Sequence, residues 1–119
     1  MINKKCKILI VDKKGKYSFI FRGFRKHKYD ISQTETLLLL DNKDLNNYNL
    51  FFIVLYELRD IFEVLKNHNA NTPIILASEN SKIIKKIEQL KCFSIVNLSE
   101  NMNSSIGVHK AMEQTLKLF

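Results

Sequence analysis

Residues whose types and spacing could perform chemistry are few and scattered in this sequence. The two cysteines, Cys6 and Cys92, lie far apart and form no C-x-x-C pair. The three histidines share no motif with each other or with the cysteines, and they are His27, His68 and His109. Neither a glycine-rich phosphate loop nor a nucleophile–base pair is apparent. We therefore expect no metal, no other cofactor and no enzymatic activity.

The charge of the chain is strongly positive. Lysine and arginine number 19 against 12 acidic residues, which gives a net charge of +7. This balance permits contact with nucleic acid or an anionic surface but does not establish it, and an AT-rich genome would also enrich lysine and asparagine. Residues 1–7 lack the apolar core of a signal peptide, and no apolar run approaches the length of about 20 residues that spans a membrane. We expect a cytoplasmic protein with reduced thiols and no membrane association.

Five segments have the character of β-strands: 8–11, 29–34, 50–56, 73–77 and 93–98. Most are short runs that are apolar on both faces, which is typical of central strands in a parallel sheet. Segment 29–34 alternates between apolar and polar residues, as an edge strand with one hydrated face would.

Helices are predicted between these strands from apolar residues spaced i, i+3, i+4 and i+7. One such spacing begins at Tyr17. Another begins at Leu58 and continues through Ile61, Phe62 and Leu65, which would all face inward.

Two further helices and one ambiguous segment complete the prediction. Ser81 could cap a helix whose inward residues are Ile83, Ile84, Ile87 and Leu90. Ser104 or Ser105 would begin the last helix. Segment 36–44 is compatible with the end of a strand or with a short helix, and we favour a helix because leucine is a good helix former.

Alternating strands and helices predict one α/β domain over residues 1–119, with a parallel sheet covered by helices on both faces. The flavodoxin-like, doubly wound strand order 2-1-3-4-5 is the common arrangement at this length. In that order, strands one and three flank the switch point where ligand sites form at the carboxyl ends of strands.

Four segments in order give the chain a recognisable likeness: 7–12, 48–54, 72–78 and 92–99. They resemble strands one, three, four and five of the receiver domain of bacterial two-component response regulators. The resemblance implies a site at the carboxyl ends of these strands, where the family binds Mg²⁺ and phosphorylates an aspartate.

The site positions of the family are mostly changed here. Asp12 matches one of the paired acidic residues that bind Mg²⁺, but its neighbour is Lys13. Val54 takes the place of the phosphoacceptor aspartate, and Ser78 matches the Ser/Thr that contacts phosphoryl oxygens. Leu98 takes the place of the lysine that the family has near the end of the fifth strand. Valine has no nucleophilic oxygen, and one carboxylate beside a cation is a poor Mg²⁺ site.

The switch position of the family, an aromatic residue in the fifth strand, is matched by Ile95. The resemblance with these losses implies a pseudo-receiver, a protein-interaction module in a two-component phosphorelay that works without phosphorylation. Its partner would be a signalling protein such as a histidine kinase, a response regulator or an output protein.

Two basic surfaces are candidates for partner binding. The family commonly uses the face formed by the fourth helix, fifth strand and fifth helix, and the candidate residues on this face are Lys82, Lys85, Lys86 and Lys91. The first helix is the second candidate, with Arg22, Arg25 and Lys26. Like-charge repulsion predicts a monomer or weak homodimer. The alternative function is a basic flavodoxin-like module that binds nucleic acid, the less favoured partner, or an acidic protein.

Overall fold

The structure is a computed structural model that describes residues 6–17, 28–35, 47–67, 72–90 and 94–101. Its strands are β1 (Cys6–Val11), β2 (Tyr29–Thr34), β3 (Leu50–Val54), β4 (Ile74–Ser78) and β5 (Ser94–Asn97). Its helices are α1 (Leu58–Asn67), α2 (Ser81–Leu90) and the single turn α3 (Leu98–Asn101).

The five strands form one parallel sheet in the order β2-β1-β3-β4-β5, which confirms the predicted flavodoxin-like fold class. Every residue of β3 and β4 is buried, as expected for strands that are apolar on both faces. The alternating strand β2 lies at the sheet edge, and several of its residues are exposed.

Strand boundaries differ from the sequence prediction by one or two residues. Strand β3 ends at Val54, two residues before the predicted end. Strand β5 ends at Asn97, and Leu98 begins α3. Apolar character continues past both ends because Leu55 and Leu98 are buried in the core without being part of the sheet.

The core consists of two layers, one on each face of the sheet. Residues alternate between them, so that Phe52 belongs to one layer and Phe51 to the other. Helices α1 and α2 pack on the Phe51 face through Ile61, Val64, Ile83 and Ile87. The helices predicted from Tyr17 and from Ser104 or Ser105, and the segment 36–44, lie outside the described residues, so helices on the second face stay a prediction.

The predicted inward face of α1 was wrong. Ile61 and Val64 are each 4% exposed, whereas Leu58, Phe62 and Leu65 are 49%, 67% and 41% exposed. Ile61 fits both interpretations, so apolar spacing could not choose between them. The nearly buried Asp60, which binds the amides before α1, helps to place the buried face on the side of residues 60, 61 and 64.

The cap predicted for α2 was wrong by one residue: it is Asn80 and not Ser81. Asn80 precedes the helix, and its side-chain oxygen accepts hydrogen bonds from the amides of Lys82 at 2.9 Å and Ile83 at 3.4 Å. Ser81 is the first helical residue. An N-cap residue accepts from the second and third amides of its helix, which is what Asn80 does.

Candidate functional site

The sheet brings the residues of the predicted site to one edge. Val11 is paired with Ile53 in the parallel ladder, so Asp12 and Val54 end adjacent strands at their carboxyl ends, as predicted. Ser78 ends the next strand and is paired with Asn97, after which Leu98 follows. The residues that the resemblance matches to a site are therefore brought to one edge of the sheet.

The carboxylate of Asp12 is enclosed, with the residue 1% exposed. One of its oxygens accepts hydrogen bonds from the amides of Lys14 and Gly15 at 3.2 and 3.1 Å, and the other accepts from the amide of Tyr17 at 3.0 Å. The hydroxyl of Tyr56 donates to the first oxygen. Three of these four donors share the first oxygen, and the amide of Tyr17 alone bonds the second, so both oxygens are engaged although the second keeps one acceptor position.

Asp12 therefore holds the loop that follows β1. Gly15 has a φ of +62°, a backbone conformation that residues with a side chain rarely adopt. This conformation lets the chain turn so that the Gly15 amide points at the Asp12 carboxylate. These bonds make Asp12 a side chain that caps the loop, and its burial means that it is not solvated. A Mg²⁺ ion would have to displace these donors or reach a side chain that is buried beneath them.

Two tyrosine rings fill the edge of the sheet at this point. Tyr17 is 1% exposed and belongs to the same core layer as Val54 and Leu98, and Tyr56 packs against that layer. The two ring centroids are 6.5 Å apart. Aromatic side chains thus stand at the switch point, where an open doubly wound sheet would offer a ligand crevice.

Tyr56 is a residue that sequence reasoning missed. Burial, followed by the hydrogen bond to Asp12 and its charge, raises the pKa of Tyr56 above its ordinary value. The hydroxyl therefore stays protonated at neutral pH and donates to the carboxylate. The available signal was its position in the short loop between β3 and α1, but nothing local points from Tyr56 to Asp12.

The hydroxyl of Tyr17 has no hydrogen-bond partner in the part of the chain that the structure describes. Burial, followed by the nearby carboxylate of Glu79, raises the pKa of Tyr17. This side chain therefore acts as a neutral, mainly apolar filler of the edge.

Lys13 is tied to Asp60, which sequence reasoning also missed. The Lys13 ammonium lies 2.9 Å from an Asp60 carboxylate oxygen. The other oxygen accepts from the amides of Tyr56 and Glu57, each at 2.9 Å. Asp60 is the third residue of α1, the position from which an acidic side chain reaches back in a capping box. A capping-box sequence has Ser or Thr three residues earlier, where this chain has Glu57, so the signal in the sequence was incomplete.

The pKa of Asp60 reflects opposing influences. Burial alone would raise it, but the hydrogen bonds from Lys13 and from the two backbone amides, together with the Lys13 charge, lower it below the ordinary aspartate value. Asp60 is therefore a carboxylate at neutral pH, and Lys13 is its counter-ion and is not poised toward Asp12.

Ser78 and Leu98 have structural partners. The Ser78 hydroxyl donates to the carbonyl oxygen of Leu55 at 2.9 Å and accepts from the amide of Asn80 at 3.1 Å. Leu98 is fully buried in the core layer that contains Val54. Ile95, which the resemblance matches to the family's switch residue, is partly buried and packs against the opposite layer.

The lysines of the loop after β1 are engaged within the chain. Lys14 lies over the Tyr56 ring at 4.8 Å from its centroid, and Lys16 bridges to Glu79 at 3.0 Å. Among the predicted partner-binding residues, Lys82, Lys85 and Lys86 are exposed on α2. The others lie outside the described residues: Arg22, Arg25, Lys26 and Lys91.

A pocket of about 280 Å³ lies beside this site, between the carboxyl ends of β1 and β3 and the start of α1. Its lining combines apolar and charged side chains. The apolar residues are Val11, Ile53, Val54, Leu55 and Val64, and the charged ones are Lys13, Glu35, Asp60 and Glu63. Within the described ranges, no group of three or more His, Cys, Asp or Glu residues could hold a metal ion. None of the described helices is long and apolar enough to cross a membrane.

No protein-family model matches this chain, and no curated protein matches it. One solved structure that it resembles is described as a yeast Spc42 trimeric coiled coil, amino acids 181–211, fused to another structure. The superposition has a TM-score of 0.68 at 17% identity and covers 97% of this chain and 79% of that chain. At this identity the likeness shows the fold alone, so the coiled coil named there has no bearing on what this chain does.

Proposed function

We propose that this chain is a receiver-like protein-interaction module that acts in a two-component phosphorelay without being phosphorylated. The order of the strands and the residues quoted for the resemblance support the receiver-like part of the proposal. The partner is a signalling protein, and the module recognises it with a surface whose shape does not depend on a phosphoryl group.

The observation that carries the proposal is the enclosure of Asp12. Its carboxylate oxygens accept from three amides and from the Tyr56 hydroxyl, so they are not presented to a metal ion. Val54, across from it, has no oxygen that could attack a phosphodonor. A phosphoryl-transfer site would require a carboxylate at position 54 and Asp12 oxygens that are open to a metal ion.

Intact-mass measurement after incubation with a small phosphodonor and Mg²⁺ tests this proposal. The mass should be unchanged for the wild-type chain and for Val54→Asp. The variant restores a carboxylate but leaves Asp12 enclosed and Leu98 without charge. It should also lower the free energy of unfolding, because position 54 is 5% exposed and an unpaired buried carboxylate is costly. One added phosphoryl group on the wild-type chain would refute the proposal.

Binding of a host partner supplies the positive half of the test. A partner retained equally in EDTA and in Mg²⁺ with phosphodonor is the expected result. The alternative of nucleic-acid binding loses support from the loop lysines, because Lys13, Lys14 and Lys16 are engaged within the chain. Tight binding to duplex DNA with a steep salt dependence would nevertheless favour that alternative over a protein partner.

A further inference from the structure

Two side-chain contacts join the loop after β1 to the segment 56–60. The Tyr56 hydroxyl donates to an Asp12 oxygen, and the Lys13 ammonium donates to an Asp60 oxygen at 2.9 Å. Asp12 and Lys13 are neighbours in the chain, whereas their partners lie 44 and 47 residues further along. The two segments are therefore joined twice at the same point of the sheet edge.

The two contacts belong to one closed path. The second Asp60 oxygen accepts a hydrogen bond from the Tyr56 amide at 2.9 Å, and a peptide bond joins Asp12 to Lys13. Tyr56 is therefore held at its backbone by Asp60 and at its hydroxyl by Asp12. We call these four residues, Asp12, Lys13, Tyr56 and Asp60, the latch.

Asp60 makes the two contacts of the latch depend on each other. The residue is 8% exposed, and its carboxylate binds Lys13 through one oxygen and the Tyr56 amide through the other. If Asp60 turned toward water, the Tyr56 amide would lose its acceptor, and the rigid aromatic side chain would carry its hydroxyl away from Asp12. Buried polar networks of this kind are cooperative, because each bond holds the groups of the next in place.

The latch also connects two sides of the sheet edge. Lys13 and Asp60 line the pocket, whereas the Tyr56 ring packs against the core layer that contains Phe52. Neither Asp12 nor Tyr56 is among the described residues that line the pocket. One contact of the latch is thus in the pocket wall, and the other is outside the pocket.

We propose that the latch opens and closes as a single unit, so that a change in the pocket wall at Lys13 and Asp60 alters the bonds of the Asp12 carboxylate. In the closed state both carboxylates accept backbone amides, and in the open state both sets of amides are exposed to water. The inference goes beyond the proposed function, because it concerns how the carboxyl edge moves and requires no two-component partner.

Native-state hydrogen exchange of the full chain, followed by NMR at increasing urea concentration, tests whether the latch opens as one unit. The amides that bond to Asp12 and Asp60 report opening of the latch, and the Phe51 amide, which donates to the Pro73 carbonyl oxygen, reports global unfolding. The opening constants of the latch reporters should agree within about threefold and rise with the same urea dependence, at values above that of Phe51, since partial opening needs less free energy than global unfolding. The latch reporters are Gly15 and Tyr17 for Asp12, and Tyr56 and Glu57 for Asp60.

A double-mutant cycle tests the dependence between the two contacts. Lys13→Met removes the ammonium and keeps the apolar part of the side chain, and Tyr56→Phe removes the hydroxyl. Each variant should raise the unfolding constant measured in urea. The effect of the double variant should be smaller than the product of the single effects by about threefold or more, as for groups that act in one network.

The matched control cycle combines Lys13→Met with Tyr48→Phe. The Tyr48 ring packs on Phe51 at the other end of β3, so this variant removes the same hydroxyl group far from the latch. The two effects should multiply within about twofold, as they do for independent sites.

Three results would overturn the inference. The first is a difference of more than about threefold between the opening constants of the Asp12 and Asp60 reporters. The second is exchange of all reporters at the constant of Phe51, which would mean that the edge opens only when the chain unfolds. The third is a latch cycle whose effects multiply as in the control.

The exchange measurement needs no variant, so a variant that fails to fold leaves the test intact. None of the three results bears on the mass test with a phosphodonor. The latch and the proposed function can therefore fail separately.

Discussion

At the scale of single residues, the site is defined by the hydrogen bonds that the Asp12 carboxylate accepts. Asp12 accepts backbone amides from the loop after β1 and a hydroxyl from the loop after β3. The donors come from both sides of the switch point, so one buried side chain joins two loops. These hydrogen bonds offset the cost of burying a polar side chain.

Removal of the Tyr56 hydroxyl tests how much its hydrogen bond to Asp12 contributes to stability. Tyr56→Phe leaves an acceptor position of the buried Asp12 without its donor, so we expect the free energy of unfolding to fall by about 1–2 kcal/mol. Urea unfolding at neutral pH measures the change. Tyr48→Phe is the matched control, because that ring packs on Phe51 at the other end of β3, and its effect should be clearly smaller. Equal losses in the two variants would contradict the role given to Tyr56.

At the scale of elements, each described long helix is positioned by a polar side chain at its start. Asp60 reaches back to the amides of Tyr56 and Glu57 before α1, and Asn80 accepts from the first turn of α2. These contacts satisfy amides that have no partner within the helix. They also help to determine which side of α1 is buried and thus why Phe62 faces solvent.

A pair of neighbouring variants tests the cap of α2. Asn80→Ala should lower the free energy of unfolding by about 1 kcal/mol, the usual cost of losing an N-cap. Ser81→Ala should change it by no more than about 0.5 kcal/mol, the range of ordinary surface substitutions. Thermal or urea unfolding of the two variants in parallel measures the difference. A larger loss for Ser81→Ala would restore the cap position expected from the sequence.

At the scale of the whole molecule, the Lys13–Asp60 pair links the loop after β1 to α1 across the carboxyl edge of the sheet. The pKa of Asp60 is lowered in the folded state, so the unfolded chain takes up the proton more readily as the pH falls. The stability from Asp60 is therefore fully present above its ordinary pKa of 3.8 and is lost as the pH falls below that value.

Unfolding measured between neutral pH and pH 2.5 should show this linkage. The wild-type free energy of unfolding should decline below about pH 4, and Asp60→Asn should show a shallower decline there because it has no proton to bind. Glu88→Gln removes an exposed carboxylate on α2 and should keep the wild-type slope. If Asp60→Asn and the wild type lose stability in parallel, Asp60 makes no contribution of this kind.

The sequence by itself determined the sheet. Strands β3 and β4 are short runs that are apolar on both faces, β2 alternates, and these patterns require a covered parallel sheet with β2 at an edge. The absence of a side-chain oxygen at Val54 is equally a property of the sequence. Such features depend on residue type and on spacing within one element, which are both readable without a structure.

Only the tertiary structure decided how the site is closed. Tyr56 and Asp12 are 44 residues apart in the chain, and Lys13 and Asp60 are 47 apart. No periodicity within an element connects such positions, because they meet only when β1 and β3 are paired. The buried face of α1 was undecided for a related reason, since Ile61 fits two stripes and packing against the sheet selects one of them.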